Sequence, residues 1–113
     1  MDRLLADCRA RLGFDLLGNT WNPVVLLALA EGPRRPGALR AEIGGISTKV
    51  LVETLRRLEG YALVERVAYV RSPPRVEYAL TALGRSLLEP IGALGRWSAE
   101  YGDAFAAAQD WDD

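Results

Sequence analysis

Nine cationic side chains (Arg34, Arg35, Arg40, Lys49, Arg56, Arg57, Arg66, Arg71 and Arg75) fall within residues 33–75, against four anions, Glu42, Glu53, Glu59 and Glu65. Concentrated positive charge of this kind is what neutralising a phosphate backbone requires. The rest of the chain has the opposite balance, with five acids and no base in residues 100–113. The formal net charge of -1 is therefore a cancellation between a basic middle and an acidic end. Other chemistry is poorly supplied, because the 113 residues contain no His and one Cys, Cys8. That composition excludes His-based metal sites, zinc fingers, Cys-His pairs and Ser-His-Asp triads. Glu42, Glu53 and Glu59 suggest no shared pocket and no acid-base pair. The expectation is a protein that binds and responds, with no catalysis, no cofactor and no metal.

The elements that position these cations can be read from the punctuation of the chain. Asp2 is a candidate cap for a first helix reaching about Gly18, with Leu4, Leu5, Cys8, Leu12, Leu16 and Leu17 at helical spacing. Asn22-Pro23 reads as a cap and first helical residue, and Gly32 closes that helix after the apolar run Val24 to Ala30, which should be buried. Pro36 opens a short third helix that stops at Gly44-Gly45, and Ser47 caps a fourth that ends near Gly60. Two extended, β-branched and aromatic runs, Leu63 to Val70 and Val76 to Leu80, flank Arg71-Ser72-Pro73-Pro74-Arg75 and predict a hairpin. Thr81 then caps a last helix in which Leu83, Leu87, Leu94, Trp97, Tyr101, Ala104 and Ala108 form a three-four stripe, with a kink at Pro90.

This order predicts a mainly α fold with a small β-hairpin: a winged helix-turn-helix with additional N- and C-terminal helices. It is read as one domain over residues 1–113, with the helix-turn-helix at about 36–60, the wing at about 63–80 and the last helix at about 81–109. Charges run through residues 1–18, so no leader or membrane span is expected, and a cytoplasmic location follows.

In such a fold the second helix of the pair enters the major groove and the hairpin reaches the backbone or the neighbouring minor groove. On the fourth helix, Leu51, Leu55 and Leu58 share one side, while Lys49, Val52, Glu53 and Arg56 share the other, with Thr48 at its edge and Ser47 at its cap. Lys49 or Arg56 suits guanine, Val52 a thymine methyl and Glu53 a cytosine amine. The alternative for Glu53 is an ion pair with Arg56 or Arg57. Arg71 and Arg75, around the stiff Pro73-Pro74, are candidates for groove contact, the alternative being a solvated turn. Arg34, Arg35 and Arg40 are candidates for phosphate contacts that position without reading sequence.

The chain resembles the HxlR-type transcriptional regulators of bacteria, winged helix-turn-helix proteins related to the MarR group. The resemblance rests on Cys8 placed 13 residues before Trp21, on Asp15-Leu16-Leu17-Gly18-Asn19-Thr20-Trp21, and on Glu31-Gly32-Pro33-Arg34-Arg35. It continues through Gly37-Ala38-Leu39-Arg40, Gly45-Ile46-Ser47-Thr48-Lys49 and Leu55-Arg56-Arg57-Leu58-Glu59, to Pro73-Pro74-Arg75-Val76-Glu77-Tyr78-Ala79-Leu80-Thr81-Ala82-Leu83-Gly84-Arg85. The sequence departs from the family pattern with Arg9 after Cys8, Thr20 before the Trp, and Pro36 before Gly37.

The resemblance implies a homodimer assembled through the first and last helices, carrying two recognition helices to an inverted-repeat operator in double-stranded DNA, more often as a repressor. It also makes Cys8 a candidate redox sensor, the alternative being that its place on the apolar stripe of the first helix buries it as an inert core thiol. Trp21, Leu94, Trp97 and Tyr101, and Trp111 beyond them, are candidates for a dimer interface or for a small-molecule effector held there, although aromatic residues at this spacing also suit an ordinary core. A winged helix that contacts another protein through the same surface is the competing reading.

Overall fold

The computed structural model describes residues 8–110. Eight elements are defined within them: α1 (Ala10–Leu17), α2 (Trp21–Ala28), α3 (Pro36–Ile43), α4 (Thr48–Gly60), β1 (Val64–Tyr69), β2 (Arg75–Leu80), α5 (Ala82–Arg85) and α6 (Leu88–Asp110). No helix among the described residues is long and apolar enough to cross a membrane. The winged helix-turn-helix expected from the sequence is present in the expected order.

The core is built where the apolar run placed it. Val25, Leu26 and Leu29 of the α2 segment are fully buried against Leu39 of α3, Leu51, Leu55 and Leu58 of α4, and Leu63, Val64, Tyr78 and Leu80 of the hairpin. Within that run Val24, Ala28 and Ala30 are half-buried and Leu27 is 47% exposed. β1 and β2 pair antiparallel, with Val64 opposite Leu80 and Tyr69 opposite Arg75. Alternation along β2 turns Tyr78 and Leu80 into the core and leaves Arg75 and Glu77 on the other face. Arg34 adds a one-residue bridge on the far side of β2, exchanging both backbone hydrogen bonds with Tyr78. The wing is thereby fastened to the loop before α3.

Helix boundaries follow local chemistry. Ser47 Oγ accepts from the Val50 amide at 3.1 Å, and Thr81 Oγ1 accepts from the Gly84 amide at 3.0 Å, satisfying donors that a first turn leaves without partners. Between α3 and α4, Gly44 and Gly45 take φ of 69° and 68°, the left-handed region where a side chain is strained.

Four boundary expectations are corrected, the first being the end of α2, which stops at Ala28 with Leu29 as its C-cap and does not reach Gly32. Asn22 does not cap α2; the helix begins at Trp21, whose amide donates to Asn19 Oδ1, and Asn22 is buried inside the first turn. Pro23 is tolerated there because early helical amides have no intrahelical acceptor. The last helix is not one kinked rod: it is divided into α5 and α6 at Ser86-Leu87, and Pro90 falls in the first turn of α6, where it breaks no hydrogen bond. Cys8 lies before α1 and is half-buried; its carbonyl accepts from the Arg11 amide at 3.0 Å. It is therefore not part of the α1 apolar stripe, and the expected Asp2 cap, Leu4 and Leu5 lie outside the described residues, as does Trp111.

Candidate nucleic-acid interface

The outward face of α4 is assembled by burying the opposite one. Leu51, Leu55, Leu58 and Thr54 are at most 1% exposed, which fixes the helix rotation. Thr48, Lys49, Glu53 and Arg56 are exposed on the other side, and Val52 is half-buried beside them. Thr48 and Val52 line one wall of a cleft of about 330 Å³, with Pro36, Gly37 and Arg40 of α3 on the other. Among the described residues Lys49, Glu53 and Arg56 form no ion pair. The alternative of a Glu53 ion pair with Arg56 or Arg57 is thus not what the geometry shows, since Arg57 turns inward to Asn22.

The remaining cations sort into braces and free groups. Arg34 is a brace: Nε pairs with Glu42 at 3.3 Å and a terminal nitrogen with Glu31 at 3.7 Å, and its backbone is locked to Tyr78. Arg40 is exposed but donates from Nε to the Ile46 carbonyl at 3.3 Å, across the turn between α3 and α4. Arg75 begins β2 rather than standing at the hairpin tip, and a terminal nitrogen donates to Glu77 at 2.8 Å. Glu77 also raises the Tyr69 phenol above its ordinary range, through hydrogen bonding and its negative charge. Arg35, Arg66 and Arg71 are exposed and, among the described residues, carry no ion pair. Arg66, on β1 beside Glu65, is a further exposed cation that its sequence context did not mark as a contact.

The aromatic candidates separate in space and role. Trp21 is half-buried and packs on the core. Leu94, Trp97 and Tyr101 are 46–49% exposed on α6, where Trp97 meets Tyr101 at 6.0 Å and Phe105 at 6.3 Å between ring centroids. Phe105, 57% exposed, extends the stripe by one more turn and was legible as the third aromatic at four-residue spacing. A separate apolar groove of about 580 Å³ lies between α1 and α5, lined by Leu12, Leu16, Tyr61, Leu63, Leu83 and Leu87, with Asp15 and Ser86 as polar members. Neither Trp21 nor Trp97 lines it.

Known proteins with this arrangement are regulators. The chain is 40% identical over 91 residues to the HTH-type transcriptional regulator YtfH of Escherichia coli, covering 80% of this chain and 72% of that one. The structure matches the redox regulator HypR in its reduced form with a TM-score of 0.82 and 27% identity, over 88% of this chain and 99% of that one. It matches the reduced transcriptional regulator YodB from Bacillus subtilis with a TM-score of 0.75 and 33% identity, over 83% and 93%. The HxlR-like helix-turn-helix family model fits residues 16–105. With the capped recognition helix, the glycine turn and the wing all in place over that span, the chain belongs to the HxlR-like helix-turn-helix family of transcriptional regulators.

Proposed function

We propose that the protein is a dimeric, sequence-specific DNA-binding repressor that acts in the cytoplasm on an inverted-repeat operator near its own gene. The observation that carries this reading is the outward face of α4, where Thr48, Lys49, Glu53 and Arg56 are exposed and, among the described residues, free of ion pairs while the leucines opposite are buried. Thr48, Lys49, Val52, Glu53 and Arg56 read base edges. Arg35, Arg40 and Arg71 hold phosphates, and Arg75 is aimed by Glu77 toward the groove beside the wing. Ser47 offers the α4 N-terminus, where amide groups favour a phosphate. The exposed α6 stripe of Leu94, Trp97, Tyr101 and Phe105 supplies the dimer contact, which doubles the DNA contacts through two-fold symmetry.

A gel shift with the chain's own upstream duplex tests this reading. A salt-dependent complex that outcompetes unrelated DNA by about a thousandfold is expected. Weak binding indifferent to sequence overturns it, and capture of a protein partner with little salt dependence favours the competing interaction module.

The signal is proposed to enter at α1. Cys8 is the chain's one thiol and is half-buried rather than enclosed, and the proteins it resembles in structure include the redox regulator HypR and a diamide-treated form of YodB. Loss of operator binding on diamide treatment, absent in Cys8→Ser, is the expected result. Equal responses of the two proteins would instead assign sensing to a non-covalent effector.

A further inference from the structure

Arg57 lies on the recognition helix but not on its reading face. Its Nε donates to Asn22 Oδ1 at 3.1 Å, and a terminal nitrogen donates to Thr54 Oγ1 at 3.3 Å. Asn22 is 2% exposed, and its Nδ2 donates to the Leu16 carbonyl at 2.9 Å. Leu16 is in the last turn of α1, where carbonyls have no partner within the helix. Thr54, fully buried, donates in turn to the Val50 carbonyl at 2.8 Å. A continuous line of hydrogen bonds therefore runs from the end of α1, through α2, into α4. Removing any member leaves a buried partner unsatisfied, so the line holds its elements as a unit.

We infer that Asn22 and Arg57 are positioning residues that make the seat of α4 depend on the end of α1, so that a displacement of α1 changes how the reading face meets DNA. The consequence for DNA rests on the function proposed above, whereas the tie itself is a property of the free protein. α1 is well placed to be displaced: Cys8 precedes it, and its Leu12 and Phe14 are each 72% exposed. Coupling between two sites is reciprocal, so DNA that holds α4 steadies α1 as much as α1 steadies α4.

Amide hydrogen exchange over residues 12–18 reads the tie, with residues 25–29 of the α2 segment as the control for general loosening. Arg57→Leu is expected to speed exchange in α1 several-fold in the free protein while residues 25–29 stay protected. It should also reduce the preference for the upstream duplex over an unrelated one by about tenfold, with the salt slope unchanged because no phosphate contact is lost. Asn22→Asp is the selective variant: its carboxylate accepts from Arg57 but cannot donate to Leu16. In it the DNA preference should persist, while α1 exchanges fast and is no longer slowed by the duplex as it is in the wild type. Arg57→Lys keeps one donor for Asn22 and should restore α1 protection.

Unchanged α1 exchange in Arg57→Leu, or equal acceleration of residues 12–18 and 25–29, overturns the tie. A full effect of DNA on α1 in Asn22→Asp overturns the coupling. A wild type without preference for the upstream duplex sinks the DNA reading instead, and the free-protein exchange of Arg57→Leu still decides the tie.

Discussion

α4 and α6 are both amphipathic, yet they spend their apolar faces differently. Leu51, Leu55 and Leu58 of α4 are at most 1% exposed against the chain's own core, whereas Leu94, Trp97, Tyr101 and Phe105 of α6 are 46–57% exposed. The radius of gyration, 16.9 Å, reflects the same contrast. A compact chain of this length would have about 13 Å, and a 23-residue helix that packs on the core only near its start, where Ile91 is buried, and then runs out with its stripe exposed accounts for the excess. The reading head closes on itself within one chain. α6 carries an apolar stripe that a single copy leaves wet, which is the condition a second copy would relieve.

The sharpest way to break this contrast is to truncate one side chain on each helix. Leu55→Ala should cost about 2–5 kcal/mol of stability in urea unfolding, because it opens a cavity in a closed core, and the loss should not depend on protein concentration. Trp97→Ala should leave the unfolding of dilute protein nearly unchanged and shift it only at concentrations where copies associate. A concentration-independent loss of similar size in Trp97→Ala would show that α6 packs on its own core.

Charge placed on the stripe tests the functional side of the comparison. Trp97→Asp should give a monomer in sedimentation and lower affinity for a full inverted repeat by about 100-fold, as expected when two linked contacts become one. Affinity for a single half-site should stay within a few-fold. Equal losses on both duplexes would mean that α6 supports the reading head itself.

Gly84 sits at the junction of the two regions. A Cβ there would collide with the Leu63 carbonyl, which already accepts from the Thr81 amide where α5 begins. Gly84→Ala should therefore cost about 1–3 kcal/mol, by the usual penalty for overpacking. If calorimetry found no loss, the close approach of α5 to the hairpin would not be a fixed feature of the junction.

The sequence was most legible where one residue type has one physical use. Pro36, Gly44-Gly45, Ser47 and Thr81 marked boundaries that the structure reproduces, because caps and left-handed turns are settled by local chemistry. Asn22 misled for the same reason: an Asn before a Pro reads as a cap, and only the fold brings Leu16 and Arg57 to its two ends. Pro90 reads as a kink until the break at Ser86-Leu87 makes it a first-turn residue. Charge counting located the basic segment but could not sort it. Arg34 and Arg75 proved to be held by carboxylates, and those pairings depend on strand register and on the Arg34 bridge to Tyr78. The stripe on α6 was plain in the spacing, while its exposure depended on where the helix left the core.

The finest test lies within the reading head, between cations that hold and cations that read. Arg71 stands exposed in the hairpin loop without an ion pair among the described residues, and Arg56 stands exposed on α4 beside Val52 and Glu53. If Arg71 meets phosphate alone, Arg71→Ala should weaken binding to every duplex alike and reduce the slope of log affinity against log salt by about one, the contribution of a single neutralised phosphate. Arg56→Ala should leave that slope nearly as it was and lower the preference for the operator by about 1–3 kcal/mol, as the loss of one base contact would. Affinities for operator and unrelated duplexes across a salt series separate the two outcomes. Should both variants flatten the slope and neither alter the preference, α4 would be gripping the backbone rather than reading the groove, and the contrast would narrow to a single basic surface opposite an apolar one.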